Sequence, residues 1–485
     1  MINLLDKLLK KKVLPFFVLI IFLFSTFKLY QSPFNYFEIY EGFRLRVLAE
    51  SFTLFGFRNN FNPFYFNGVN ISNNPVFETH HPPLPPILLA IVFEIFGTDE
   101  IVSRMFAIIV SIGIIFGIYL IGRELFNRKV GVISSIITLL IPTYQINFAI
   151  VSELSTALLF GIFSFYFYLK YLKFKNFKYL FLSISVAILS LFSEWFGLGV
   201  FLLIAVHQFW TGRLKTIKIW LTFLIIGLIL TILLFFQKSL VSSESATSFI
   251  LSKNIKIYIS HPINYWVEIF LELVLKIIKY LSPLIILTPL LVYRKLKLEK
   301  VQLHFLLMLL IFGLPYYFLI ADGVLVESSR FSLFLVPFLA IFSSFLIYKF
   351  RKRFIIGLLV FVGLIIWNIF FYLKFPISDL NYVKSFSILS NTINQNPKHL
   401  VVLGRSEFFF VILDKFNQNI EVTRDLFELR QRLGSVDRYD GFIIYLPDYY
   451  KDDLFGDEEK IFEELCNNYF CNEVSEDKTV WKRKF

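Results

Sequence analysis

The sequence predicts a polytopic α-helical membrane protein of about eleven transmembrane helices, followed by a small α/β domain outside the membrane. Three observations carry this. The chain of 485 residues is 56% apolar and only 17% charged, where a soluble chain of this length is about a quarter charged. Its mean hydropathy is +0.67. And the apolar residues lie in runs near the length of about 20 that crosses the hydrocarbon. Disorder needs low hydrophobicity and is excluded. Two cysteines exclude a disulfide scaffold. The formal charge of +12 resembles that of a nucleic-acid binder, so its distribution matters.

The first span is expected at 13–30, VLPFFVLIIFLFSTFKLY, behind Lys7, Lys10, Lys11 and Lys12. The following QSPFNYF offers no small-x-small cleavage site, so the segment reads as a retained span with its basic end in the cytoplasm. Ten more are expected at 103–122, 131–150, 154–171, 178–193, 197–210, 218–236, 272–293, 302–320, 331–349 and 354–373. LPPILLAIVFEIFG (84–97) is too short and carries Glu94; it reads as a helix at the membrane face.

Loop charge tests this count. GRELFNRK, KYLKFKNFK, TGRLKTIK, YRKLKLEK and YKFRKRF, the expected inner loops, are all basic, whereas residues 31–100 hold seven acids against three bases. Positive residues stay inside, so the N-terminus is expected in the cytoplasm and the C-terminus outside. Residues 1–374 carry +17 and 375–485 carry −5. The surplus therefore reports orientation, and no nucleic-acid partner is expected.

The chain divides at 374. The tail alternates strand-like runs, HLVVLG (399–404), NIEVT (419–423) and GFIIYLP (441–447), with helix-like runs such as DEEKIFEELCNNY, and KTVWKRKF reads as a last edge strand. About 110 residues suffice for a core of their own. No glycine-rich phosphate loop opens a helix here, so a docking or acceptor-shaping role is expected. Cys466 and Cys471 are either a disulfide or two thiols.

The outer face collects candidate chemistry. Glu38 and Glu41 stand three apart in a helix-like run, YFEIYEGFRLRVLAESFTLF; Glu153 and Glu194 sit at outer ends of spans; Asp322, Glu327 and Arg330 share one outer loop. His80 and His81 precede a rigid Pro-Pro turn, placing two imidazoles where they suit a phosphate or a divalent metal. No second spaced His pair exists, against a conventional zinc site. A turn that merely seats the helix after it is the plainer alternative.

These segments resemble the GT-C fold glycosyltransferases that use polyprenyl-phosphate sugars, in the branch of protein O-mannosyltransferases and lipid A aminoarabinose transferases. The resemblance covers about 35–200, and more weakly 300–350. EGFRLRVLAESF places Glu41 at the family acid after the first span, with Glu38 as second match; HHPPLPPILLAIVFEIFGTDEIVSR matches the Pro-Pro-Leu segment and its helix; GRELFNRKVGVISSIITLLIPTYQINFAIVSELSTALLF brings the second acid to Glu153. Both family acids are usually Asp. The basic residue before Pro-Pro is His81 here, and Arg330 in SSRFSLFLVPF is a weak match to a cation near the donor phosphate. The Trp-Trp-Asp motif of oligosaccharyltransferases is absent, which suggests transfer of a single sugar.

The resemblance implies an inverting transfer at the outer membrane face from a polyprenyl-phosphate sugar to a protein, lipid or glycan. Glu41 would be the base and Glu153 would position the acceptor or share that role. His81 and Arg330 would bind the donor phosphate, with Glu38, His80 and Glu194 as secondary candidates. A divalent metal near His80 is allowed, and no cofactor is certain. The competing readings are a transporter or flippase, which tends to show internal repeats absent here, and a non-catalytic relative that binds lipid-linked sugar.

Overall fold

The computed structural model describes residues 42–58, 60–65, 76–211, 217–241, 299–313, 329–349, 363 and 366–367, and five strands between 400 and 483. Helix α1 is Phe43–Phe55. A two-stranded ribbon follows, with β1 (Phe64–Tyr65) antiparallel to β2 (Val76–Phe77). Then come α2 (Leu84–Phe96), α3 (Glu100–Leu125), α4 (Arg128–Leu139), α5 (Pro142–Asn147), α6 (Glu153–Phe174), α7 (Phe177–Ser193), α8 (Gly197–Thr211), α9 (Ile217–Ser239) and α10 (Lys300–Gly313). A 3₁₀ turn, Ser329–Leu335, leads into α11 (Val336–Lys349).

Local chemistry sets these boundaries. Asn127, Ser152 and Asn176 cap α4, α6 and α7, each side chain accepting from the first-turn amides, which otherwise lack partners. Two glycines with positive φ, Gly56 at 70° and Gly97 at 88°, end α1 and α2, a conformation that costs a side-chain-bearing residue more.

Four helices among the described residues are long and apolar enough to cross a membrane: 100–125, 153–174, 221–239 and 332–349. At 1.5 Å per residue α3 is about 39 Å long, more than the roughly 30 Å hydrocarbon core. Shorter apolar helices at 84–96, 177–193, 197–209 and 302–312 lie inside the remaining expected segments. The expected span at 131–150 is corrected: it divides into α4 and the six-residue α5. Pro142 opens α5 and has no N–H to continue the helix before it. The expected spans 13–30 and 272–293 lie outside the described residues, as does 354–373 apart from residues 363, 366 and 367, and so do Glu38, Glu41, Asp322, Glu327 and Cys466.

The helices pack through small residues, as membrane helices do where no solvent drives them together. Gly131 of α4 lies so near α3 that a Cβ there would stand 2.7 Å from the Tyr119 carbonyl oxygen. Ser164 of α6 and Ser183 of α7 each donate to the other's carbonyl, at 2.8 and 2.9 Å. Phe165, Phe201, Phe305, Phe312 and Phe334 are buried in the core between them. Helix α1 lies against α2, with Leu45, Leu48, Leu89 and Phe93 buried in a separate cluster.

In the tail, β3 (Leu400–Gly404), β4 (Ile420–Thr423), β5 (Gly441–Tyr445), β6 (Cys471–Glu473) and β7 (Val480–Arg483) form one sheet in the order β4-β3-β5-β7-β6. The first three are parallel and the last two antiparallel. The three expected strands are present. The expected edge strand at the C-terminus is instead the fourth of five, because Cys471–Glu473 pairs on its outer side.

Candidate active site

The ends of the bundle differ chemically. At one end Glu124, near the C-terminus of α3, pairs with Lys170 and Lys173 of α6 at 2.7 Å each. The other end holds the N-termini of α3 and α6, the C-termini of α7 and α9, and the segment 78–81 between β2 and α2. There Arg44, projecting from α1, is 3% exposed. Its Nη1 donates to Glu78 Oε2 at 2.9 Å and its Nη2 to Glu153 Oε1. Glu153 opens α6 and is itself buried. A carboxylate in the first turn also favours the helix dipole.

Glu78 organises the segment that follows it. Its Oε1 accepts from the backbone N–H of His80 at 2.7 Å and of His81 at 3.3 Å. Its carbonyl oxygen accepts from Lys238 Nζ at 2.8 Å; Lys238 is buried at the end of α9. The His80 carbonyl accepts from Trp195 Nε1 at 2.6 Å, and Trp195 stacks on Phe235 of α9 with centroids 4.7 Å apart.

His81 faces Glu194, the residue that ends α7, with Nδ1 2.8 Å from Oε2. Burial works against the imidazolium, and so does Arg44. The Glu194 carboxylate, with Glu153 behind it, outweighs both and raises the pKa from 6.5 to about 9. The side chain keeps about a third of its surface exposed, so water also solvates the cation, and His81 is protonated at neutral pH.

Beside this lies a second charged group. Arg46 donates to the Thr98 carbonyl at 3.2 Å and stands 3.8 Å from Glu100, which Arg104 meets at 2.9 Å. Arg46, Glu100 and Arg104, with Gly42 and residues 149–151, line a cleft of about 10 Å³, room for one water.

The structure thus brings together Glu153, His81, Glu194 and, through its backbone, His80. The His80 ring is half exposed, its Nδ1 3.6 Å from Glu78. Arg330 lies in the 3₁₀ turn 329–335, and its side chain is outside the described residues. For the divalent metal allowed near His80, no three His, Cys, Asp or Glu side chains converge among the described residues to hold an ion. Sequence reasoning missed Arg44, Glu78, Trp195 and Lys238. A signal existed for two of them. Arg44 and Lys238 are cations at the acidic end of the bundle, where loop charge does not require them.

Residues 80–235 match the family model of dolichyl-phosphate-mannose-protein mannosyltransferases. No curated protein matches the chain. Among solved structures, ArnT from Cupriavidus metallidurans bound to undecaprenyl phosphate superposes with a TM-score of 0.63 at 11% identity, over 98% of both chains. The same protein in its apo state gives 0.57 at 11% identity, over 98% of this chain and 99% of that one. AglB from Archaeoglobus fulgidus, an archaeal oligosaccharyltransferase in complex with an inhibitory peptide and a dolichol-phosphate, gives 0.57 at 12%, over 98% of this chain and 74% of its own. The chain therefore has the GT-C fold, and its residues 80–235 carry the pattern of the dolichyl-phosphate-mannose-protein mannosyltransferase family.

Proposed function

We propose that this protein is a membrane glycosyltransferase that moves a single sugar from a polyprenyl-phosphate donor to an acceptor protein, lipid or glycan at the outer membrane face. The observation that carries the reading is the convergence of Arg44, Glu78, His81, Glu153 and Glu194 at one end of the bundle. Two cations and three carboxylates meet there among helices too apolar to hold them without a purpose. The undecaprenyl phosphate bound by ArnT supports the class of donor.

In the proposed reaction an acceptor oxygen attacks the anomeric carbon as the bond from that carbon to the phosphate oxygen breaks. The configuration inverts once, with no covalent intermediate. The acceptor proton passes to a carboxylate, and the polyprenyl monophosphate leaves with the bonding electrons. Glu41 is assigned as the base, on the family resemblance of EGFRLRVLAESF. Glu153 is pinned by Arg44, which suits a group that orients the acceptor more than one that must release its partner to take a proton. His81, cationic and partly exposed, and Arg330 are assigned to the developing phosphate charge. The protein is assigned to the cell membrane, with its N-terminus in the cytoplasm and the domain 375–485 outside, where it docks or shapes the acceptor.

The test is Glu41→Gln, assayed for sugar transfer from polyprenyl-phosphate donors in membranes. A loss of about 10²–10⁴-fold in turnover is expected for a general base. Turnover near that of the native protein would remove the assignment.

A further inference from the structure

We infer that Glu78 is the positioning residue of the site, one buried carboxylate that ties the His81 segment to the Arg44–Glu153 pair. The inference takes its catalytic meaning from the transfer reading above, but its geometry stands independently. Glu78 makes several connections at once. One carboxylate oxygen accepts from Arg44; the other accepts from two consecutive backbone amides, those of His80 and His81. Its own carbonyl is held by Lys238. The side chain is 5% exposed, so water is a poor substitute for any of these partners.

The consequence falls on His81. That residue sits between the amides bound by Glu78 and the rigid Pro82-Pro83 pair, and its ring meets Glu194, which comes from α7. With its N–H fixed from one side and its φ-restricted neighbours from the other, the ring has little choice of direction. Glu78 does not touch the ring; it acts through the backbone. On its other side it shares Arg44 with Glu153, so movement of the His81 segment is transmitted to the acid opening α6.

Substitution chemistry separates these connections. Gln keeps the length but offers one acceptor atom and one donor. Either Arg44 or the two amides would then face an N–H₂. Asp keeps the charge but is shorter by one methylene, and cannot span from Arg44 to both amides.

The experiment follows His81 by ¹³C-histidine NMR in the purified full chain in nanodiscs, assigned by the signal lost in His81→Gln, together with binding of undecaprenyl phosphate. In the native protein His81 is expected to titrate near 9. In Glu78→Gln its midpoint is expected to fall toward 6.5, with undecaprenyl phosphate binding weakened by about ten-fold, the size of one lost hydrogen bond to a charged group. Lys238→Met, which releases the segment's carbonyl, is expected to shift it the same way. Glu78→Asp retains the Arg44 pair, and carries the same test if Gln destabilises the fold. An unchanged His81 midpoint in Glu78→Gln, or in Glu78→Asp where Gln does not fold, overturns the inference. A fallen midpoint, in a protein whose native form neither binds undecaprenyl phosphate nor transfers sugar, leaves the positioning intact and removes the transfer reading instead.

Discussion

Replacing Arg44 by Met probes the most consequential contact in the structure. Arg44 is 3% exposed, between carboxylates of Glu78 and Glu153 that are 5% and 3% exposed. Met preserves the volume of the stem and deletes the charge, stranding two carboxylates in a site with little water. Removing one partner of a buried pair costs about 3–5 kcal/mol, because the remaining charge stays desolvated. Against a typical stability of roughly 5–15 kcal/mol that is a large share, and a melting shift on the order of 5–10 °C is expected. The assay is thermal unfolding in nanodiscs followed by tryptophan fluorescence. A triple variant, Arg44→Met with Glu78→Gln and Glu153→Gln, removes the charges together and should recover at least half of the loss, since neutral side chains need no cation. A single variant within about 0.5 kcal/mol of the native protein, the usual range for a surface site, would refute the reasoning. So would a triple variant as unstable as the single one.

Three further outcomes are expected. The His81 pKa is raised on folding, so the stabilisation it gains from Glu194 is fully present below about 6.5 and is lost as pH rises through about 9. Undecaprenyl phosphate affinity should decline over the same upper limb, and a flat profile from neutral pH to well above that value would exclude His81 as a phosphate ligand. Trp195→Phe keeps the stack on Phe235 but deletes the donor to the His80 carbonyl. A loss of about 1 kcal/mol in stability, with KM raised more than kcat is lowered, is expected from steady-state kinetics; unchanged values of both would show that the bond does not position the segment. Gly131→Ala places a methyl 2.7 Å from the Tyr119 carbonyl oxygen, a backbone atom that cannot swing aside. Overpacking of about 1–3 kcal/mol is expected in chemical denaturation, and an undiminished midpoint would mean that α3 and α4 separate freely.

Much of the architecture was legible in the sequence because the bilayer imposes a local rule. Every backbone polar group in hydrocarbon must be satisfied within its own helix, so an apolar run of sufficient length declares itself without reference to any other segment. Where a local signal was underweighted, the structure differs. Pro142 divides the expected span 131–150, and Cys471–Glu473, a three-residue strand too short to show a pattern, displaces Val480–Arg483 from the sheet edge. The site was half legible. Glu153, His81 and Glu194 stood out as polar residues at one end of the spans, while Glu78 was merely one acid among seven in its loop and Lys238 a basic residue after a span.

The sequence by itself determined where most of the apolar helices lie, the distribution of +17 and −5 between residues 1–374 and 375–485, and the end of the bundle where acids and imidazoles gather. These depend on composition and local order. Only the tertiary structure decided which partner answers which charge: Arg44 with Glu153 across 109 positions, His81 with Glu194 across 113, Lys238 with the Glu78 carbonyl across 160. Periodicity cannot encode such pairs, because they depend on how helices distant in sequence come together, and a buried charge is tolerated only where that packing delivers its partner.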